Sequence, residues 1–403
     1  MKISCAYFVV CAIIGAFHIC TADSDSQSKG NVSELTLSED GKLNFTQLVI
    51  KYGHSVEQYD IETEDGYILT AFRIPGKKPP VLLFHGLFDS CDSFVIRGNT
   101  SFVITLATAG YEVWVGNSRG NLYGRRHVTL NPDNDKKFWD YSFHEIGYYD
   151  LAATIDYIRK KTGVDSISTI NHSQGTTVNF VLTSLRPEYN DRIKVMIALA
   201  PIVFLDGLGS PTSLIANAGP AIAKIAEAAG IEEILKGLST VSDLLTFVCN
   251  KASLSSAVCN LLGTFVSTSM ATEGAEPEFI KGIAFGHYPR ATSRKSLVHL
   301  DQVYLRHSFA QYDHGLGNLV KYGSLSPPKY NLTAVTTNVA LFVGKKDKLG
   351  TVKDSEQLNR SLPNVVHYEV MKPENWDHVD FVWGKDTPKY LFPTIFEILE
   401  KYT

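Results

Sequence analysis

Ser166-Ile167-Ser168-Thr169-Ile170-Asn171-His172-Ser173-Gln174-Gly175-Thr176 is the stretch from which the fold is read. Ser166 to Ile170 is a short β-type run, and Thr176 to Leu185 has helical potential. A strand, a tight turn bearing a serine and then a helix is the setting of a nucleophile elbow, usually written G-x-S-x-G. Such a turn holds the serine in a strained conformation with its hydroxyl clear of the sheet. Small flanking residues let strand and helix pass close together. Gly175 meets that demand, whereas Asn171 puts a side chain where the pattern has none.

The sequence around the elbow alternates in the same way. Pro80-Val81-Leu82-Leu83-Phe84 and Tyr111-Glu112-Val113-Trp114-Val115 are largely apolar runs suited to strands buried on both faces. Helical segments are expected at Ser101 to Ala109 and Tyr148 to Lys161, and a further strand at Lys194 to Leu199. Upstream, β-type residues flank Glu64-Asp65-Gly66, a hairpin signal. This rhythm predicts an α/β fold with a mostly parallel sheet and helices on both faces. It lapses from about Asp206 to His314, where Ser213 to Leu245 reads as helical, and returns at Ala340 to Val343 and Val365 to Met371 before a closing helix near Pro388 to Tyr402. The lapse is read as a helical insertion covering one end of the sheet.

With 403 residues, 44% hydrophobic and 20% charged, the chain has ordinary globular composition. A net charge of -4 leaves no basic footprint for nucleic acid. Residues 1–22 carry Lys2, an apolar run and small residues at Cys20 and Ala22, and read as a secretory signal peptide. A membrane anchor is the alternative, but the run is short for a span. No later stretch is expected to cross a membrane. Residues 23–42 form a polar segment. Three cysteines follow the signal peptide. Cys249 and Cys259, close together and flanking a polar segment, are expected to pair, which leaves Cys91 free and buried. Two unpaired structural cysteines are the alternative. Asn31, Asn44, Asn99, Asn331 and Asn359 are glycosylation candidates in a secreted chain. Asn171 also fits the acceptor pattern, but an elbow inside the fold should leave it unmodified.

Acyl transfer needs a nucleophile, a base, an acid that orients the base, and donors for an oxyanion. In the α/β-hydrolase order the acid and then the histidine follow the serine. Ser173 is the candidate nucleophile. Asp347, just past the strand ending at Val343, is the candidate acid, with Asp354 as rival. His378, before the last helix, is the candidate base, with His367 as rival. The Leu87 amide, in His85-Gly86-Leu87, and the Gln174 amide are the candidate oxyanion donors. Arg119 and His127 are expected to be structural pairing partners near the site.

Tyr59-Asp60-Ile61-Glu62-Thr63-Glu64-Asp65-Gly66-Tyr67-Ile68-Leu69, His85-Gly86-Leu87, Gly116-Asn117-Ser118-Arg119-Gly120, His172-Ser173-Gln174-Gly175 and His378-Val379-Asp380-Phe381 occur in this order. The chain thereby resembles the acid lipase family, which includes gastric and lysosomal acid lipases, over about residues 43 to 400. The resemblance implies an α/β-hydrolase core in two parts, residues 43–205 and 315–403, with a helical cap at residues 206–314. It implies hydrolysis of triacylglycerols or sterol esters at a lipid–water interface, without a cofactor or metal. It also implies Ser173, Asp347 and His378 as the triad and Leu87 with Gln174 as the oxyanion hole. Cys249 and Cys259 look like the family's cap disulfide, and the apolar run Leu214 to Leu245 is expected to form or cover an acyl-chain channel. Secretion is the expected destination and the lysosome the alternative. A catalytically weak or inactive lipid-binding or storage protein, motivated by Asn171, is the rival to the enzyme.

Overall fold

A computed structural model describes residues 37–209, 212–235 and 274–402. After helix α1 (Phe45–Lys51), strands β1 (Glu57–Glu62) and β2 (Ile68–Ile74) pair antiparallel through a turn at Asp65-Gly66. Gly66 has φ 93°, a conformation that a side chain would strain. β3 (Lys78–Phe84), α2 (Phe102–Thr108), β4 (Tyr111–Val115), α3 (Ala152–Thr162), β5 (Ile167–His172), α4 (Gln174–Leu185) and β6 (Ile193–Leu199) follow. The core closes with β9 (Asn338–Val343) and β10 (Val365–Val370), with β7 (Glu233–Ile234) and β8 (Thr292–Ser293) forming a separate two-stranded ribbon. The main sheet has eight strands in the order β1-β2-β4-β3-β5-β6-β9-β10. From β4 to β10 every pairing is parallel.

The continuous apolar runs are explained by burial on both faces. In β3, Val81 and Leu83 point into one core, and Leu82 and Phe84 into the other. In β6, Val195, Ile197 and Leu199 alternate in the same manner with Met196 and Ala198. α2 packs on the first face, while α3 and α4 pack on the second. The chain leaves β3 toward β4 on one side and reaches β6 from β5 on the other. The loops after β3 and β5 therefore part at a topological switch point, where α/β sheets open a crevice.

Several boundaries differ from the sequence reading. The segment expected as one helix from Tyr148 starts as a π-helical turn, Ile146–Leu151, before α3. Gly147 sits in that turn, where a Cβ would come within 2.5 Å of the Val178 carbonyl of α4, so the wider turn lets two backbones approach closely. The closing helix is split at Leu391 into Thr387–Tyr390 and Phe392–Lys401.

Between β6 and β9, α5 (Thr212–Ala228) packs on α6 (Arg294–Arg306), and a short helix α7 (Asn318–Tyr322) follows. The segment is tied to the core at several points. His299 of α6 stacks on Phe143 with ring centroids 3.8 Å apart, and Asp92 bonds His287 Nδ1 at 3.0 Å. The signal-peptide region, Asn31, Cys249, Cys259 and residues 236–245 of the Leu214–Leu245 run lie outside the described residues. Cys91 is buried and unpaired. Asn44, Asn99 and Asn331 are exposed, Asn359 is half-buried in helix α8 (Val352–Ser361), and Asn171 is wholly buried. Among the described residues no helix is long and apolar enough to cross a membrane.

Candidate active site

Ser173 stands at the end of β5 with φ 55° and ψ -124°, a strained conformation for a residue with a Cβ. Such strain costs about 1–3 kcal/mol. It is held by the bonds around it: the Ser173 amide donates to the Leu199 carbonyl at 3.0 Å, and the Ser173 carbonyl accepts from Thr176 N at 2.8 Å and Thr176 Oγ1 at 2.6 Å. Helix and loop pass very close. A Cβ on Gly175 would lie 2.5 Å from the Phe84 carbonyl, which accounts for glycine there.

Ser173 Oγ–H donates to His378 Nε2 at 2.7 Å, and His378 Nδ1–H donates to Asp347 Oδ2 at 2.8 Å. Asp347 lies in the turn after β9, and its Oδ1 accepts the Leu349 and Gly350 amides, each at 2.8 Å. Burial opposes the Asp347 charge, but His378 and these N–H donors outweigh it and keep the carboxyl below its ordinary range. Burial likewise opposes a charge on His378. Asp347 outweighs it and raises the imidazole above its ordinary 6.5. The arrangement leaves Nε2 free to take a proton from Ser173 and stabilises the imidazolium that results.

The loop after β3 lies against the serine. A Cβ on Gly86 would meet Ser173 Cβ at 2.9 Å. His85 is buried, and its Nδ1–H donates to the Gly86 carbonyl at 2.8 Å. That carbonyl belongs to the same peptide group as the Leu87 N–H, so the bond fixes the direction of the amide. His85 Nε2 accepts from the Ser118 amide at 3.1 Å and Asn121 Nδ2 at 3.0 Å, and burial pulls its pKa down to about 4, so the ring stays neutral. Neither the Leu87 nor the Gln174 amide is engaged by another described residue. The Gln174 amide opens α4, where the helix dipole favours negative charge.

The rivals lie elsewhere. Asp354 accepts from Gly207 N and Thr351 Oγ1 at the start of α8, and His367 in β10 pairs with Glu369. Arg119, 2% exposed, binds Asp150 and Asp65, with its guanidinium 3.8 Å from the Tyr67 ring centroid. His127 Nε2–H donates to the Asp65 carbonyl at 2.9 Å. Asn171 donates from Nδ2 to Thr169 Oγ1 at 3.0 Å, the same oxygen that receives Asn179 of α4 at 3.1 Å. Its side chain is therefore tied beneath α4 and bonds to none of the Ser173, His378 or Asp347 side chains.

The sequence reading gave no role to His172 or to Ser118 of the Gly116–Gly120 loop, whose amide donates to His85. His172 Nε2–H donates to the His378 carbonyl at 2.9 Å. Burial and the neighbouring His378 lower the His172 pKa to about 3, which keeps it a neutral donor. The signal in both cases is a polar group at the end of an apolar strand.

The chain matches the model of the alpha/beta hydrolase fold over residues 79–385 and that of the partial α/β-hydrolase lipase region over residues 45–98. It is 33% identical to lysosomal acid lipase/cholesteryl ester hydrolase of Macaca fascicularis, covering 100% of both chains. The chain belongs to the acid lipase family. It is accordingly a carboxylic ester hydrolase of the lipase type. Other family members similar to it are Lipase 1 of Drosophila melanogaster, 34% identical over 94% of this chain and 84% of that one, and mouse (Mus musculus) gastric triacylglycerol lipase, 33% identical over 89% and 92%. Among solved structures, the Exiguobacterium antarcticum esterase EaEST superposes with a TM-score of 0.51 at 13% identity, over 85% of this chain and 100% of that one, a likeness of fold.

Proposed function

We propose that this acid lipase is secreted and hydrolyses carboxylic esters of lipids, triacylglycerols or sterol esters, at a lipid–water interface through an acyl-enzyme on Ser173. The observation that carries the reading is the unbroken chain of hydrogen bonds from Ser173 Oγ through His378 to Asp347, beginning at a serine with positive φ.

As Ser173 Oγ attacks the ester carbonyl carbon, its proton passes to His378 Nε2. Negative charge gathers on the former carbonyl oxygen, where the Leu87 and Gln174 amides receive it. Asp347 holds the imidazolium in place. Collapse breaks the carbon–oxygen bond of the ester, and His378 returns the proton to the leaving alkoxide. Water then gives its proton to the same Nε2 and attacks the acyl carbon, releasing the fatty acid and restoring the Ser173 hydroxyl.

Ser173→Ala removes the nucleophile and is expected to lower turnover of a dispersed lipid ester by roughly a millionfold, as in other serine hydrolases. Activity retained by the purified variant would overturn the mechanism. A panel of triacylglycerols and sterol esters, with this variant as control, identifies the substrate class.

A further inference from the structure

Four of the most exposed apolar side chains fall within ten residues of one another. Leu316 is 85% exposed, Val320 94%, Leu325 67% and Leu319 52%. They lie on α7 and the loops beside it. This segment is built inside out. Asn318 is wholly buried, donating to Asp313 Oδ1 at 2.6 Å and the Leu325 carbonyl at 3.0 Å, and accepting the His314 amide at 2.8 Å. Gln302 of α6 accepts the Asp313 amide at 2.8 Å, and Tyr322 donates to the Tyr312 carbonyl at 2.9 Å. The polar groups are thus spent on fixing the loop, and the apolar ones are turned out to solvent.

Cations outnumber carboxylates beside it. Residues 314–329 contain Lys321 and Lys329, both exposed, and no aspartate or glutamate, in a chain of net charge -4. At His314 the segment adjoins an open cleft of about 440 Å³, which shares no residue with the Ser173 site. Lys136, Lys137, Arg294 and Lys295 line it against two carboxylates, Asp140 and Glu232. Arg294 is paired with Glu232 and Lys295 with Asp140, but Lys136 and Lys137 form no ion pair among the described residues.

From the exposed apolar side chains and the adjoining cationic cleft, we infer that this face docks the protein on an anionic lipid surface. Leu316, Val320 and Leu325 insert among the acyl chains, while Lys136, Lys137 and Lys321 meet the acidic headgroups. Apolar insertion supplies affinity and the lysines select charge. The inference gives the proposed lipase a point of attachment to its substrate phase, and it rests on that reading for its purpose. Its test does not pass through the active site.

The full secreted chain carrying Ser173→Ala, which cannot consume the lipid, is mixed with phosphatidylcholine vesicles with and without phosphatidylserine, and bound protein is measured by flotation. Added Leu316→Ser, Val320→Ser and Leu325→Ser together should weaken binding to both vesicle types by roughly a thousandfold, since each inserted side chain contributes about tenfold. Lys136→Gln with Lys137→Gln should reduce the preference for phosphatidylserine by roughly fivefold per lysine, with Lys321 keeping the remainder, and leave the binding to neutral vesicles. On the Ser173 background both sets should hydrolyse a soluble short-chain ester at the unsubstituted rate, which separates a docking defect from misfolding. If the unsubstituted protein lacked esterase activity yet bound vesicles, the lipase reading would fail and the surface would stand. Equal vesicle binding by the apolar variant, or a dimer in sedimentation that those substitutions dissolve, overturns the docking surface, the latter in favour of a second copy of the chain.

Discussion

Gly86→Ala isolates the oxyanion loop from the rest of the site. Gly86 is not in the left-handed region, so alanine brings no backbone strain, and the effect is steric. The new methyl would stand 2.9 Å from Ser173 Cβ and 3.4 Å from Ser173 Oγ. Carbon atoms at rest lie about 3.5–4.0 Å apart, so the loop must withdraw by roughly 0.6–1 Å. The Leu87 amide moves with it, because His85 grips the carbonyl of the same peptide. A donor drawn back that far no longer makes a good hydrogen bond to the oxyanion. Loss of one such donor costs about a hundredfold to a thousandfold in kcat, or about 2.7–4 kcal/mol. Misplacement by about 1 Å independently suggests about a hundredfold. The expected result is a kcat lower by about 10²–10³ on a soluble ester, with KM little changed. Overpacking should also cost about 1–3 kcal/mol of stability, so urea unfolding is measured on the same sample. A folded variant whose kcat stays within a few fold of the unsubstituted enzyme would refute the assignment of the Leu87 amide.

Other outcomes follow from the same geometry. Asp347→Asn should lower kcat by about 10⁴, as loss of the orienting carboxylate does in a serine protease triad, measured on the same soluble ester. Because Asp347 raises His378 above 6.5, kcat/KM should lose its acidic limb at a pH above the ordinary histidine value; Asp347→Asn should move that limb to lower pH, and a shift the other way would contradict the electrostatic argument. Arg119→Met should cost about 3–5 kcal/mol in urea unfolding, since it strands the buried Asp150 carboxylate, and a loss below about 1 kcal/mol would sink that reasoning. Asn171→Gly should leave kcat unchanged and cost about 1–2 kcal/mol of stability, because the Asn171 side chain is buried, is bonded to Thr169 and forms no hydrogen bond with the reacting groups. A gain in kcat of an order of magnitude would show instead that Asn171 crowds the elbow.

The strands were legible where burial on both faces left no room for polar residues. Val81 to Phe84 and Val113 to Val115 are such runs, and their registers follow from the parallel pairing. Ser173, Asp347 and His378 were legible as an order of residue types at strand ends, and the structure brings the three within hydrogen-bond reach. The supports of the site were not legible, because each spans a long stretch of chain. The His172 bond to the His378 carbonyl crosses 206 residues and the Ser118 bond to His85 crosses 33. No local pattern announces either. The π-helical start at Ile146 was hidden for a related reason: Gly147 there lies against the Val178 carbonyl of α4, a neighbour remote in sequence. Leu316 to Leu325 carried no legible signal: which side chains face solvent there is fixed by the burial of Asn318 and its bonds to Asp313 and the Leu325 carbonyl.

The most direct test of the central claim is the mass of the protein after treatment with a fluorophosphonate ester. A serine activated by His378 attacks phosphorus and expels fluoride, so one adduct should form on the peptide containing Ser173, and ester hydrolysis should fall in step with labelling. Ser173→Ala protein should take up no label. Full activity in protein that carries no adduct, or loss of activity that tracks an adduct on another residue, would contradict Ser173 as the nucleophile.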